Sequence, residues 1–222
     1  MSGRIVLAAA TAALSVFVPM TASATDLPAP RPQLGQAQAA RPAAPRTISS
    51  HMATDRVLGR ANAPITIVEY VSFTCSHCAV FTTDVLPTIK RQYIDTGKAR
   101  LIFRDMPTAP HQVSVSLAAL GRCVPQDKFF QVADYLMGHQ EEAFRSRDIG
   151  AWMRGAVALS GRTPDELQTC MSGEQLRQTL QSDVDTAASQ GVNSTPSVFV
   201  NGEAASAASL EAISALIDKH LP

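Results

Sequence analysis

The chain has no charge of either sign in excess: 19 Lys and Arg face 19 Asp and Glu in 222 residues. That balance removes the bulk electrostatic attraction that nucleic acid or an anionic membrane would exert. No internal repeat is visible. Cysteines number four, and only one pair is closely spaced; Cys123 and Cys170 stand alone. A zinc site, which needs a second ligand pair at matching spacing, is therefore not indicated, and no cofactor is implied. The apolar run over residues 5–18 is short of the roughly 20 residues of a membrane-spanning helix.

That run has another reading. Arg4 precedes it and Ala22-Ser23-Ala24 follows, an A-x-A cleavage pattern, so residues 1–24 read as a signal peptide, with an uncleaved membrane anchor as the rival. Residues 25–52 are rich in Pro, Ala and Gln and poor in large apolar residues, the composition of a linker. The folded domain is expected over 53–222. Under either reading of the leader the protein works where disulfides persist.

Within the domain, Ile65–Val71 is a nearly continuous apolar run, as in a strand buried on both faces. Residues 79–93 read as a helix kinked at Pro87, and 99–103 as a second strand ended by Pro107 and Pro110. A helical period then occupies about 111–190, with breaks at Gly121/Pro125, Gly138, Gly161 and Ser172-Gly173. Thr163-Pro164-Asp165-Glu166 has the form of a capping box with Pro at the first helical position. Ser197–Val200 is a short strand, Asn201-Gly202 a hairpin turn, and Leu210–His220 a closing amphipathic helix. The order is βαβ, a helical insertion, then ββα.

Cys75-Ser76-His77-Cys78 follows the first strand and opens the first helix. A C-x-x-C at such a junction suits a redox dithiol, because the unpaired N–H groups and dipole of the helix end favour an anion on the first sulfur. A purely structural disulfide is the bland alternative. Glu69 sits mid-strand, where a carboxylate is costly unless it has a partner or a task, or lies on an exposed face. Cys123 and Cys170 both fall in the helical block. In an oxidising compartment they are expected to pair, the alternative being two ordinary buried thiols. His51, His111, His139 and His220 belong to no constellation.

Two segments, Glu69-Tyr70-Val71-Ser72-Phe73-Thr74-Cys75-Ser76-His77-Cys78 and Gly191-Val192-Asn193-Ser194-Thr195-Pro196-Ser197-Val198-Phe199-Val200-Asn201-Gly202, resemble the DsbA-like family of exported thiol–disulfide oxidoreductases over about residues 55–222. The resemblance implies an α/β thioredoxin fold with an inserted helical subdomain. It makes Cys75 the nucleophile and Cys78 its partner, with His77 tuning the thiolate and Glu69 moving protons. Pro196 becomes the cis proline facing the dithiol, and Thr195 a contact for substrate backbone. Ser76 replaces the proline usual between the cysteines, and Ser194 stands where the wider family often has Gly. Thr195 looks more like the isomerase branch. The implied function is a periplasmic disulfide oxidase acting on reduced exported proteins and recharged by a quinone-linked membrane partner. A reductase or isomerase, and a non-catalytic chaperone or copper-binding module, stay open beside it.

Overall fold

The computed structural model describes residues 55–221; the expected leader (1–24) and linker (25–52) lie outside the described residues. Strands β1 (Arg56–Gly59), β2 (Ile65–Val71), β3 (Ala99–Asp105), β4 (Ser197–Val200) and β5 (Glu203–Ala204) form one sheet in the order β1-β3-β2-β4-β5. β2 and β3 are parallel and the other pairings antiparallel. β2, flanked on both sides, is buried along its whole length, which is why its sequence is so apolar.

β1 was not expected from the sequence. Its Arg-Val-Leu-Gly stretch is too short to show a period, and it is defined by pairing with β3, Arg56 lying opposite Phe103. β3 also runs two residues past the expected end at Phe103. Arg104 and Asp105 are buried there because each has a partner: Arg104 binds Asp55 at 2.9 and 3.0 Å, and Asp105 accepts from Arg122 at 2.6 Å. Buried charges are tolerated when paired and hydrogen-bonded.

Side chains of a strand alternate between faces. Ile65 and Ile67, with Leu101, Val198 and Val200, pack on the long helix after β2 and on the C-terminal helix. Val68 and Tyr70, with Ile102 and Phe199, form a separate cluster on the opposite face. The long helix begins at Ser76 with Cys75 as its N-cap, as expected of the C-x-x-C and ahead of the helical period read from residue 79. It runs as α1 (Ser76–Val80), a π-helical segment (Phe81–Val85), α2 (Leu86–Ile89) and a second π-helical segment (Lys90–Ile94). Pro87 falls in the first turn of α2, just after the widened π turn. Proline cannot supply the regular helical N–H, and the change of hydrogen-bond pattern accommodates it without ending the helix.

The insertion consists of α3 (His111–Cys123), α4 (Gln126–Gly138), α5 (Gln140–Ser146), α6 (Ile149–Leu159), α7 (Pro164–Met171) and α8 (Glu174–Ser189). The capping box at α7 forms: Thr163 N–H donates to Glu166 at 2.8 Å and Glu166 N–H to Thr163 Oγ1 at 3.3 Å. The break expected at Gly121/Pro125 falls at Val124-Pro125, between α3 and α4, and not at Gly121 itself. Gly121 lies inside the helix, where a Cβ would press on Phe129 and Phe73 at 3.2 and 3.5 Å. A break not read from the sequence separates α5 from α6, where Arg147 is left-handed (φ 60°) and Asp148 caps the next helix through Ala151 N–H at 2.7 Å. Asn201 and Gly202 turn between β4 and β5 with φ of 47° and 86°. α9 (Leu210–His220) closes the chain, burying Ile213 and Ile217 against the sheet cluster.

Candidate active site

Cys75 is the N-cap residue of α1, in extended conformation at φ −87° and ψ 118°. Its carbonyl accepts the first helical hydrogen bonds, from Cys78 and Ala79 N–H, both at 3.1 Å. Its side chain is partly open to solvent, whereas Cys78, one turn on, is fully buried; both are free thiols. No acidic residue lies in the first turn of α1 to oppose a negative charge.

The two sulfurs have opposite acidities. Cys75 is lowered to about 5, first by a hydrogen bond from the Cys78 thiol, then by the Thr195 side chain and the backbone N–H groups of Cys78 and His77, all against the cost of partial burial. Thr195 acts on this sulfur in two senses. Its carbonyl, 3.3 Å from Sγ, accepts from the thiol and favours the protonated form, while its side chain favours the anion. The anion prevails. Burial pushes the Cys78 thiol far up, its bond to Cys75 adds to this, and the Ser72 backbone N–H alone pulls the other way.

Glu69 lies on β2 between Phe103 of β3 and Val198 of β4. By alternation it shares the face of Ile67 and Val71, toward the dithiol helix. It is buried, and its Oε1 has no hydrogen-bond partner. Burial, then the Cys75 charge, raise the carboxyl to about 8, so it keeps its proton at neutral pH. Its charge also bears on Cys78.

The peptide bond between Thr195 and Pro196 is cis, and the contact of Thr195 with Cys75 brings this turn onto the dithiol. Ser76 and His77 are exposed. What reaches Cys75 from His77 is its backbone N–H. Cys123 and Cys170 form a disulfide between α3 and α7 and take no part in the site. Two features of the site had no sequence signal. Gln140, from α5, is buried and donates to the carbonyls of Phe73 and Cys75 at 2.7 and 3.1 Å. Four hydroxyls cluster ahead of the dithiol: Ser72 lies 2.8 Å from Ser114, 2.9 Å from Thr108 and 3.1 Å from Thr74. Ser72 and Thr74 are visible as polar residues at the end of an apolar strand, but their partners lie far along the chain.

A dithiol at a strand–helix junction, opposite a cis proline on a mixed sheet, defines a protein of the thioredoxin class. The chain belongs to the thioredoxin family: the family model described as Thioredoxin matches residues 51–219. Within that family it is DsbA-like. It is 33% identical over 168 residues to a Rickettsia bellii protein named "Putative protein-disulfide oxidoreductase", covering 74% of this chain and 64% of that one. A Bacillus cereus relative named "Probable disulfide bond formation protein D" is 28% identical over 177 residues, covering 76% of this chain and 79% of its own. Among solved structures, Wolbachia pipientis alpha-DsbA1 matches with a TM-score of 0.67 and 28% identity, over 76% of this chain and 92% of that one. Bacillus subtilis BdbD shows the same fold at a TM-score of 0.65 and 23% identity, over 75% of this chain and 92% of that one. The chain spans 64% and 60% of the lengths of two Rickettsia relatives.

Proposed function

We propose that this protein is a thiol–disulfide oxidoreductase that introduces disulfide bonds into exported proteins by exchange at Cys75-Ser76-His77-Cys78. The observation that carries the reading is the opposed acidity of two sulfurs in one helical turn. Cys75 ionises near pH 5 and is partly open to solvent; Cys78 is buried and held as a thiol. Only the reduced form has a thiolate to stabilise, so this arrangement makes the Cys75–Cys78 disulfide oxidising. The names of the relatives support the same chemistry.

In the oxidised protein a substrate thiolate attacks the Cys75 sulfur. The Cys75–Cys78 bond breaks, its electron pair leaves on Cys78, and Cys78 takes up one proton. Glu69 supplies it: the carboxyl holds a proton up to about pH 8, and its electrostatic coupling to Cys78 supports this role. A second substrate thiolate then attacks the substrate sulfur of the mixed disulfide, and Cys75 leaves as a stable thiolate. The substrate has lost two electrons and the dithiol has gained them. A membrane quinone-linked partner reoxidises the dithiol. The site of action is the periplasm, reached through the leader at residues 1–24, with a retained tether as the other arrangement. The residues around Arg4 and Ala22-Ser23-Ala24 support export.

Thr195 beside Cys75 favours a second reading, a reductase or isomerase that works from the reduced form. Equilibration with a glutathione buffer separates the two, since a dithiol more reducing than glutathione cannot serve as a net oxidase. For the exchange itself, oxidised protein mixed with a reduced, unfolded substrate is expected to gain two thiols for each pair the substrate loses. Cys78→Ala is expected to accumulate a mixed disulfide through Cys75. Absence of both would return the protein to a non-catalytic chaperone or copper-binding module.

A further inference from the structure

Gln140 is the first residue of α5, deep in the sequence of the helical insertion, yet its side chain is buried against the loop in front of α1. Its Nε2 donates to the carbonyls of Phe73 and Cys75, at 2.7 and 3.1 Å. Those two bonds use both hydrogens of the amide. The Cys75 carbonyl is where α1 begins, and no side-chain cap holds that helix end. Rotation of the backbone at Cys75 would carry the N–H groups of His77 and Cys78 away from the sulfur. A clamp on the carbonyls of residues 73 and 75, on either side of Thr74, opposes that rotation.

We propose that Gln140 is a positioning residue for the dithiol, fixing the backbone on which the Cys75 sulfur meets the amino end of α1. The proposal rests on the exchange reading above. It gives the helical insertion a part in setting the reactivity of Cys75, through a side chain 65 residues away. Gln140 touches backbone only and no reacting atom, so its effect passes through geometry. The titratable groups around Cys75, namely Cys78 and His77 on α1 and Glu69 on β2, are left in place when Gln140 is replaced.

The test compares the full protein with Gln140→Met, which keeps the length of the side chain and removes both donors. The rate of alkylation of reduced Cys75 is followed against pH, the dithiol is equilibrated with glutathione, and denaturant midpoints are taken for the oxidised and reduced forms. The expected result is an alkylation midpoint raised by about one unit and a dithiol about tenfold less oxidising. The reduced form should also lose more stability than the oxidised form. Equal losses in both forms with an unmoved midpoint and equilibrium would make Gln140 a packing residue and overturn the proposal. Should Gln140→Met not fold, Gln140→Asn takes its place: it adds no charge and is one methylene too short to hold both carbonyls, and an unchanged alkylation midpoint would overturn the proposal equally. Alkylation needs no substrate. A wild-type protein with an acidic Cys75 that fails to oxidise substrates would remove the exchange reading and leave this comparison intact.

Discussion

The Cys75 sulfur lies 3.3 Å from the carbonyl oxygen of Thr195, a residue 120 positions away and joined to Pro196 by a cis peptide bond. The contact places Thr195 where its carbonyl and its side chain both act on the acidity of Cys75. Thr195→Val keeps the carbonyl and the shape and deletes the hydroxyl. Its expected effect is a Cys75 alkylation midpoint moved up from about 5, with slower release of mixed disulfides and with folding intact. Loss of the cooperative unfolding transition would instead make the hydroxyl structural.

His77 offers a contrast. Its ring is exposed, and its contribution to Cys75 is a backbone N–H, which any residue supplies. The imidazole between the cysteines invites a direct electrostatic role when read from sequence; what lowers Cys75 is first the Cys78 thiol, then the Thr195 side chain and the backbone N–H groups of the helix end. His77→Ser is therefore expected to move the Cys75 alkylation midpoint by less than about one unit. A larger upward shift would restore the ring to the site.

Glu69 and Cys75 pull the pH dependence of stability in opposite directions. Cys75 is depressed from 9.0 to about 5. Its contribution to the reduced form is complete above the unfolded value and is lost as pH falls through about 5. Glu69 is raised from 4.5 to about 8, so its neutral form is tolerated below the unfolded value and becomes a growing cost as pH rises through about 8. The oxidised form lacks the Cys75 thiolate but keeps the burial of Glu69, its larger perturbation. The stability of the reduced form relative to the oxidised form is then expected to rise between about pH 5 and 9. Glu69→Gln should make both forms lose less stability above pH 5 and should slow the proton-dependent steps at Cys78. Denaturant titrations of both redox forms across pH would show it; an identical slope in wild type and Glu69→Gln would place the Glu69 carboxyl in contact with water.

Gly155 marks a tight crossing in the insertion. A Cβ there would sit 1.8 Å from the Tyr135 hydroxyl oxygen, and the Tyr135 ring is stacked on His139 with centroids 4.2 Å apart. Gly155→Ala forces α4 and α6 apart or displaces that ring, at an expected cost of about 1–3 kcal/mol. Pairing it with Tyr135→Leu should recover part of the loss. No recovery in the double variant would show that another contact sets the spacing.

The thioredoxin fold with a helical insertion was readable because its signals are local: an apolar strand, a C-x-x-C, Thr-Pro before a strand, and a turn at Asn201-Gly202. Cys75 and Cys78 stand out for the same reason. The parts that escaped are made by distant partners. β1 exists through its pairing with β3, and the end of β3 extends because Asp55 and Arg122 reach its two charges. Gln140 looks like any polar residue at a helix start, and its meaning comes from carbonyls 67 and 65 residues back in the chain. The hydroxyls of Ser72 and Ser114, 42 residues apart, are equally silent until they meet.

Cys123 and Cys170 are disulfide-bonded across a sequence separation of 47, joining the end of α3 to α7. Closing a loop of that length restricts the unfolded chain, a stabilisation of about 4 kcal/mol in the chain-entropy model. The bond ties together two helices of the insertion and leaves the partners of Cys75 untouched. Replacing one cysteine alone would leave a free thiol that could attack the Cys75–Cys78 disulfide, so Cys123→Ala and Cys170→Ala are made together. The double variant is expected to unfold at lower denaturant, losing up to about 4 kcal/mol. Its Cys75 alkylation midpoint and its rate of exchange with substrate are expected to stay at wild-type values. Unchanged stability would mean that the unfolded chain gains little freedom from cutting the bond. A shifted alkylation midpoint would mean that strain or movement in α3 reaches the dithiol, and Ser114, which lies on that helix and bonds Ser72, would be the first place to look.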